Sequence, residues 1–170
     1  MPMNVKPVPT LDDEVNEVRL ATAEIVNNDI LPFENKLWAH RTDGGRPSKE
    51  QVEEAHELRV GVQSKVKKAN LWAPHLPPEF GGMGLSFLQH AYMNEVLAYS
   101  PGAASLFGVV APNSGNQKIL VKYGTPEQHE NWLKPLTEGR MQSGFSMTEP
   151  HNAGSDPRSI QTRALSLIHI

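Results

Sequence analysis

Residues Gly144 to Pro157 read GFSMTEPHNAGSDP and predict a strand that ends in a polar loop. From Phe145 to Thr148, apolar and hydroxyl side chains alternate, which is typical of a half-buried strand. Pro150 has no backbone N–H, so a hydrogen-bonded ladder ends there. The segment His151–Asp156 is then rich in residues that form turns. A strand end leading into such a loop offers backbone amides and hydroxyls at one edge, which suits a planar polar ligand or a phosphate.

The composition excludes several classes of protein. The 170 residues carry a net charge of −3, which gives no electrostatic basis for binding nucleic acid. No apolar run reaches the roughly 18 residues of a membrane span. The chain has no cysteine, and its seven histidines show no metal-ligand spacing, so we expect neither disulfides nor a metal site. The Pro-rich N-terminus lacks a signal or transit pattern, which predicts a cytoplasmic location and leaves mitochondrial or peroxisomal targeting open.

Most of the chain before Gly144 predicts helices. Three capping boxes begin helices at Ser48, Ser86 and Thr125, each with glutamine three residues later. A first helix is expected after Thr10, with acidic residues in its first turn. The nearly all-apolar run 103–111 predicts a central helix that is buried on every side. The expected fold is therefore mainly α.

Two of the predicted helices are joined by an irregular segment, 71–84, rich in proline and glycine. A link of this length needs a surface to pack on, and we expect Trp72, Leu76 and Phe80 to anchor it. Its glycines do not form a phosphate-binding loop, because the Gly-Lys-Ser/Thr ending of such loops is missing.

Three motifs resemble the acyl-CoA dehydrogenase family. In chain order they are PPEFGGMG at 77–84, YGTPEQ with WLKPL within 123–136, and FSMTEP followed by AGSDP within 145–157. The resemblance covers most of the chain and is weaker before Leu71. It implies an up-down helical domain of the family's N-terminal type over residues 1–142. Residues 143–170 would then hold the first strand or strands of an incomplete β-barrel domain. The loop after Pro150 has one residue more than in the short-spaced members and is similar to the branch acting on long or unusual acyl chains.

The resemblance implies FAD-dependent α,β-dehydrogenation of acyl-CoA thioesters, in fatty acid β-oxidation or related acyl catabolism. The residues that would contact FAD are Phe145, Met147, Thr148, Gly154 and Ser155. The residues that would contact substrate are Ser155, at the pantetheine arm, and Phe107 and Val110, beside the acyl chain. Plain core packing is the competing interpretation for the residues of 103–111.

No catalytic residue is implied within this chain. The family's base is a glutamate in a C-terminal helical bundle, and Glu149 is expected to be structural. The family would continue after Ala164 with a Gly-x-Lys-Trp strand, whereas 165–170 read LSLIHI. We therefore interpret the chain as a truncated or chimeric fragment. We expect it to be inactive alone and to bind FAD weakly or not at all.

Two other functions stay open. One is a non-catalytic helical interaction module, and the other is a flavin oxidase of the same fold with a different substrate. Binding of FAD separates the first of these from a dehydrogenase, and the substrate range of a full-length parent separates the second. The partners implied are an acyl-CoA substrate and an electron-transfer flavoprotein as electron acceptor, with a homo-oligomer expected for the full-length parent.

Overall fold

The computed structural model describes residues 2–38 and 46–166, and α-helices dominate this part of the chain. The mainly helical prediction is therefore confirmed. The α-helices are α1 (Asp13–Ile25), α2 (Glu34–Leu37), α3 (Lys49–Lys68), α4 (Phe87–Leu97), α5 (Ala103–Leu106), α6 (Asn113–Tyr123), α7 (Pro126–Gln128) and α8 (Lys134–Thr137). Two π-helical turns, Val26–Ile30 and His129–Leu133, extend α1 and join α7 to α8. Shorter 3-10 turns lie at Leu31–Phe33, Pro78–Phe80 and Pro157–Ser159.

The three predicted capping boxes are all formed. In α3, the Gln51 amide donates to Ser48 Oγ at 3.2 Å and the Ser48 amide donates to Gln51 Oε1 at 2.8 Å. The same reciprocal pairs begin α4 at Ser86 and α7 at Thr125. Each box satisfies backbone donors that a helix start would otherwise leave open.

The first helix starts later than the sequence predicted. It begins at Asp13, and the side chain of Asp12 forms no capping hydrogen bond. The chain that leads into α1 is held instead by the side chain of Asn16, which accepts from the Val8 amide at 2.8 Å and donates to the carbonyl oxygens of Val8 and Leu11. The amide of one buried asparagine thus takes the place of the expected cap at Thr10.

The core lies where α1, α3, α4 and α5 pack together. Its members are apolar side chains withdrawn almost completely from water: Val26, Ile30, Leu37, Val66, Leu76, Met93, Val96, Leu97, Leu106 and Phe107. Burial of each large side chain contributes on the order of 1.5–3 kcal/mol. This core holds the helices together. None of the helices in the described residues combines the length and hydrophobicity needed to cross a bilayer.

The link 71–84 packs on the helices largely as predicted. Trp72 and Leu76 are buried, whereas Phe80 is half-buried and meets the His129 ring edge-on at 5.1 Å. The Trp72 indole N–H donates to the carbonyl of Thr137 at 2.7 Å, which joins the link to the end of α8.

The central helix is shorter than predicted, because Gly108 ends it. Gly108 takes a positive φ of 77°. Its amide donates to the carbonyl of Ser105, and the Val109 amide donates to that of Ala104 at 2.9 Å. These two bonds form a Schellman motif, which stops α5 and turns the chain outward. Burial therefore ends near Phe107, and Val110 is 40% exposed.

The strand predicted at Phe145–Thr148 is not formed, which corrects that part of the prediction. Between 140 and 166 the structure contains no strand, and its single isolated bridge joins Glu149 to Asn152. A strand needs a neighbour for its backbone groups, and the described residues place none beside 145–148. The domain division at 142/143 stays a prediction.

Candidate cofactor-binding segment

The segment of residues 143–162 is tied to the helices at its first residue. The amide and the hydroxyl of Ser143 both donate to Asn113 Oδ1, at 2.8 and 2.9 Å. Asn116 Nδ2 donates to Ser143 Oγ at 2.9 Å. Asn113 and Asn116 lie three residues apart on α6 and therefore face the same way. This contact fixes the point at which the segment leaves the helical part.

After Ser143 the chain presents an exposed edge, residues 145–148, which carries three of the five predicted FAD contacts. Phe145 is 64% and Met147 41% exposed, and Thr148 is exposed as well. Among the described residues, no hydrogen bond uses the amides of this edge. Backbone N–H groups always require an acceptor, so water or a ligand must supply it here.

Gly154, a fourth predicted contact, folds back against this edge. A methyl group placed on Gly154 would lie 3.4 Å from the Met147 carbonyl oxygen and 3.5 Å from Thr148 Cα. The structure therefore brings Met147, Thr148 and Gly154 together. Ser155, the fifth, follows Gly154 and is exposed.

Glu149 is engaged by the far end of the loop. Its carboxylate accepts from the Gln161 amide at 2.9 Å, the Thr162 amide at 2.6 Å and the Thr162 hydroxyl at 2.5 Å. It also accepts from Asn152 Nδ2 at 3.0 Å. These donors, the Thr162 hydroxyl first, lower the pKa of Glu149 to about 2. A carboxylate held in this way is a poor proton acceptor, which favours the structural role predicted for it.

Asp156 orders the middle of the same loop. Its carboxylate accepts from the Arg158 amide at 3.1 Å and from Arg158 Nε at 3.0 Å. The pairing lowers the pKa of Asp156 and raises that of Arg158. The result is a short 3-10 turn, Pro157–Ser159, capped by Asp156.

The two predicted acyl-chain contacts lie in different environments. Phe107 is fully buried in the helical core, whereas Val110 stands at the surface beyond the Gly108 turn. In this conformation Phe107 presents no surface to a ligand. Its role in substrate contact stays a prediction, and core packing accounts for its burial.

A cleft of about 770 Å³ was not predicted from the sequence. It lies between the end of α3, the link 71–84 and the α7–α8 region, with Trp72, Phe80 and Leu133 among its walls. Lys67 Nζ stands 4.4 Å from the centre of the Trp72 ring and donates to the Glu138 carbonyl at 2.9 Å. None of the predicted site residues lines this cleft. It is built by segments far apart in sequence, and the aromatic residues of the link were its one visible signal.

A histidine pair was also missed. The rings of His75 and His90 are stacked with centroids 6.0 Å apart. His75 Nε2 lies 2.8 Å from Gln117 Oε1, and Gln117 Nε2 donates to the Leu136 carbonyl. Burial lowers the pKa of both histidines, and Lys118 lowers them further. Within 2–38 and 46–166, no group of three His, Cys, Asp or Glu side chains is placed to hold a metal ion.

Comparison with known proteins gives a consistent result. The family model described as acyl-CoA dehydrogenase, N-terminal domain, matches residues 41–140. Mouse acyl-CoA dehydrogenase family member 10 is 35% identical over 156 residues, which is 89% of this chain and 14% of the relative. A probable acyl-CoA dehydrogenase of Mycobacterium tuberculosis is 39% identical over 102 residues, covering 59% of this chain and 24% of its own length.

A solved structure agrees with these matches. The structure of a putative acyl-CoA dehydrogenase from Mycobacterium abscessus superposes with a TM-score of 0.72 at 35% identity. The match covers 86% of this chain and 37% of that one. The chain thus spans between about a seventh and about two fifths of the length of these relatives.

Proposed function

Because the chain belongs to the acyl-CoA dehydrogenase family, we propose that it supplies part of the flavin and substrate site for α,β-dehydrogenation of acyl-CoA thioesters. The observation that carries the proposal is the exposed edge 145–148, whose amides have no partner among the described residues and which Gly154 backs. An edge of this kind matches a planar ligand with polar groups along one side. Fatty acid β-oxidation or related acyl catabolism is the corresponding setting.

The donors on this edge fit FAD in chemical type. The Met147 amide and the Thr148 hydroxyl would donate to the N1–C2=O side of the flavin, where negative charge develops on reduction. Phe145 would pack near the ring, and the Gly154 and Ser155 backbone would approach the pyrophosphate. FAD, when bound, supplies the acceptor for the hydride that leaves the substrate β carbon.

On the substrate side, this chain's residues would bind and orient rather than move protons. Ser155 would contact the pantetheine arm, and Val110 would border the acyl chain. Contact between the acyl chain and Phe107, which is fully buried in this conformation, would require the helical core to open. Glu149, whose carboxylate is occupied by loop donors, would not remove the α proton. We propose that the base, the dimer-forming bundle and the contacts to an electron-transfer flavoprotein belong to the remainder of a longer protein, which would act as a homo-oligomer. Residues 1–170 alone would then be inactive.

The test is an NMR titration of residues 1–170 with FAD at millimolar concentration, followed by a second titration with octanoyl-CoA. We propose that the chain alone binds FAD weakly rather than not at all, and this binding should shift the amide signals of Phe145–Thr148, Gly154 and Ser155. Thr148→Val should raise the dissociation constant for FAD, measured from these shifts, about fivefold, because one neutral hydrogen bond contributes about 1 kcal/mol. Ser146→Ala removes an exposed hydroxyl from the same edge at a residue that is not a predicted FAD contact, so it is the matched control and should behave like the wild type.

Two outcomes would contradict this proposal. Shifts confined to the cleft beside Trp72 would place ligand binding elsewhere, and the absence of any shift would favour a helical interaction module without cofactor. Dye reduction with octanoyl-CoA by the chain alone would overturn the assignment of the base to another part of the protein. A flavin oxidase would give the same FAD shifts and differ in the substrates that a longer parent oxidises.

A further inference from the structure

The loop that follows Glu149 has no apolar core of its own. Every described residue from Pro150 to Ser166 is exposed or at most half-buried. Closing a loop of this length costs conformational entropy. Since no buried side chain offsets this cost, polar contacts must do so.

The contacts converge on one carboxylate. Both oxygens of Glu149 are used: Oε1 accepts from the amide and the hydroxyl of Thr162, and Oε2 accepts from Asn152 Nδ2 at 3.0 Å. The Gln161 amide lies within 3.0 Å of both oxygens. Asn152 Nδ2 also donates to the Ser159 carbonyl at 3.0 Å. The loop is therefore closed on itself at its base, with Glu149 as the common acceptor.

We propose that Glu149 is a positioning residue: it closes the loop 150–161 into a ring and so sets where Gly154 and Ser155 lie relative to the Met147–Thr148 edge. The consequence for FAD rests on the function proposed above, whereas the closure of the ring does not. A methyl group added to Gly154 would lie 3.4 Å from the Met147 carbonyl oxygen and 3.5 Å from Thr148 Cα, so Gly154 lies close to this edge. Opening the ring would therefore move the predicted pyrophosphate contacts away from the predicted flavin edge.

The negative charge of Glu149 contributes to the closure of the loop. Hydrogen bonds to an ionised acceptor are stronger than neutral ones, and a carboxylate offers two acceptor oxygens to donors that converge from three residues. The substitution Glu149→Gln introduces a neutral amide, which would turn an NH2 group toward some of these donors. Glu149→Asp keeps the negative charge, but its side chain is one methylene shorter, so the carboxylate lies farther from the donors.

The first measurement is NMR exchange of the Gln161 and Thr162 amides with water in residues 1–170. Glu149→Gln should raise both exchange rates by at least about threefold, a modest factor because the site is open to solvent. It should also speed tryptic cleavage after Arg158. Glu149→Asp should give an intermediate result, and Glu53→Gln, an exposed carboxylate on α3, should change nothing. Unchanged exchange in Glu149→Gln would overturn the inference.

A pH series distinguishes this role from a general loss of structure. In the wild type the two amides should stay protected down to about pH 4.5 and become exposed as the pH falls toward 2, since the pKa of Glu149 is about 2 and protonation removes the acceptor. In Glu149→Gln this transition should be absent. The other charged groups of the loop are His151 and the Asp156–Arg158 pair, and Asp156→Asn should retain the transition if Glu149 causes it.

The FAD titration then separates the two proposals. If Glu149→Gln opens the ring and weakens the FAD shifts, both are supported. If the ring opens and neither protein responds to FAD, the loop inference stands and the proposed function fails. If the ring opens and FAD shifts are equal in both proteins, Glu149 does not position the cofactor contacts, and that part of the inference is wrong.

Discussion

The helical part of the chain and the segment 143–162 are held together by different forces. In the helices, side chains such as Ile30, Leu97 and Phe107 are entirely buried. In the segment, apolar side chains stay in water, with Phe145 64% exposed, and order comes from hydrogen bonds to Asn113 and Glu149. The hydrophobic contribution grows with buried area, whereas hydrogen bonds open to solvent contribute far less each.

This difference is one of the supports for the proposal that residues 145–148 bind a ligand. In a strand packed into a sheet, the amides would be hydrogen-bonded to neighbouring strands. In a buried loop, the hydroxyls would be inaccessible to a ligand. Polar closure at Glu149 and anchoring at Ser143 hold the backbone in place at both ends of the edge. The amides between them stay available to a ligand. Helices with a buried core and a loop closed by hydrogen bonds are a reasonable frame for a site on a loop.

The largest expected effect tests this contrast directly with two phenylalanines. Phe107→Ala should lower the free energy of unfolding by about 3–5 kcal/mol, since it leaves a cavity in the core. Phe145→Ala should change it by no more than about 0.5 kcal/mol, because the ring is mostly in water. Urea denaturation followed by circular dichroism measures both.

Phe107→Leu provides a variant that folds even if Phe107→Ala does not, and its loss should be smaller because it keeps more of the volume. Equal losses in Phe107→Ala and Phe145→Ala would mean that the segment is packed as tightly as the helices, and the contrast would be lost.

Three glycines sharpen the same contrast with a single added methyl group. At Gly102 the new carbon would lie 1.9 Å from the Trp38 ring, so something must move. We expect Gly102→Ala to cost about 1–3 kcal/mol. Gly61 lies inside α3 with nothing within 4 Å, and Gly61→Ala should stabilise by about 1 kcal/mol because alanine favours helix.

In the segment, the methyl group of Gly154→Ala would meet the Met147 carbonyl oxygen at 3.4 Å, near ordinary contact distance. The free energy of unfolding, measured by thermal denaturation, should therefore change by less than about 0.5 kcal/mol. A stability loss for Gly154→Ala comparable with that of Gly102→Ala would contradict the open character of the segment.

The sequence predicted those features of the fold that are encoded locally. The capping boxes at Ser48, Ser86 and Thr125 depend on two side chains three residues apart, and all three are formed. The end of α5 was missed because an all-apolar run does not reveal that Gly108 takes a positive φ. The strand at Phe145–Thr148 was predicted from alternation and from the family resemblance, and neither supplies a pairing partner within the described residues.

The candidate site was only partly predictable for the same reason. The motif gave the residues of the edge and the loop, and the structure places Met147, Thr148 and Gly154 together. The sequence suggested that Glu149 is structural, but two of its three donor residues, Gln161 and Thr162, lie about a dozen residues later and no periodicity connects them with Glu149. The cleft beside Trp72 and the His75–His90 pair depend on tertiary packing. The aromatic residues of the link were the only sequence signal for the cleft, and the histidine pair had none.

The smallest expected effect compares the acid sensitivity of the two regions. Burial lowers the pKa of His75 and His90 in the folded protein, so the unfolded chain binds more protons once the pH falls below about 6.5. Stability contributed by the neutral histidine pair is therefore complete above this pH and is lost as the pH decreases toward the lowered values. The Glu149 ring, whose carboxylate has a pKa of about 2, should persist well below pH 5.

Urea midpoints at pH 7.5 and 5.0 measure this effect for the helices, and amide exchange at Thr162 measures it for the ring. We expect the helical midpoint to decrease by less than in Phe107→Ala, because both imidazoles are only partly buried and remain screened by water. The double variant His75→Gln/His90→Gln should show a flatter pH dependence, and His56→Gln, exposed on α3, should keep that of the wild type. Identical pH dependence in the wild type and the double variant would show that the partly buried histidine pair does not cause the pH dependence of helical stability, and acid sensitivity would no longer distinguish the two regions.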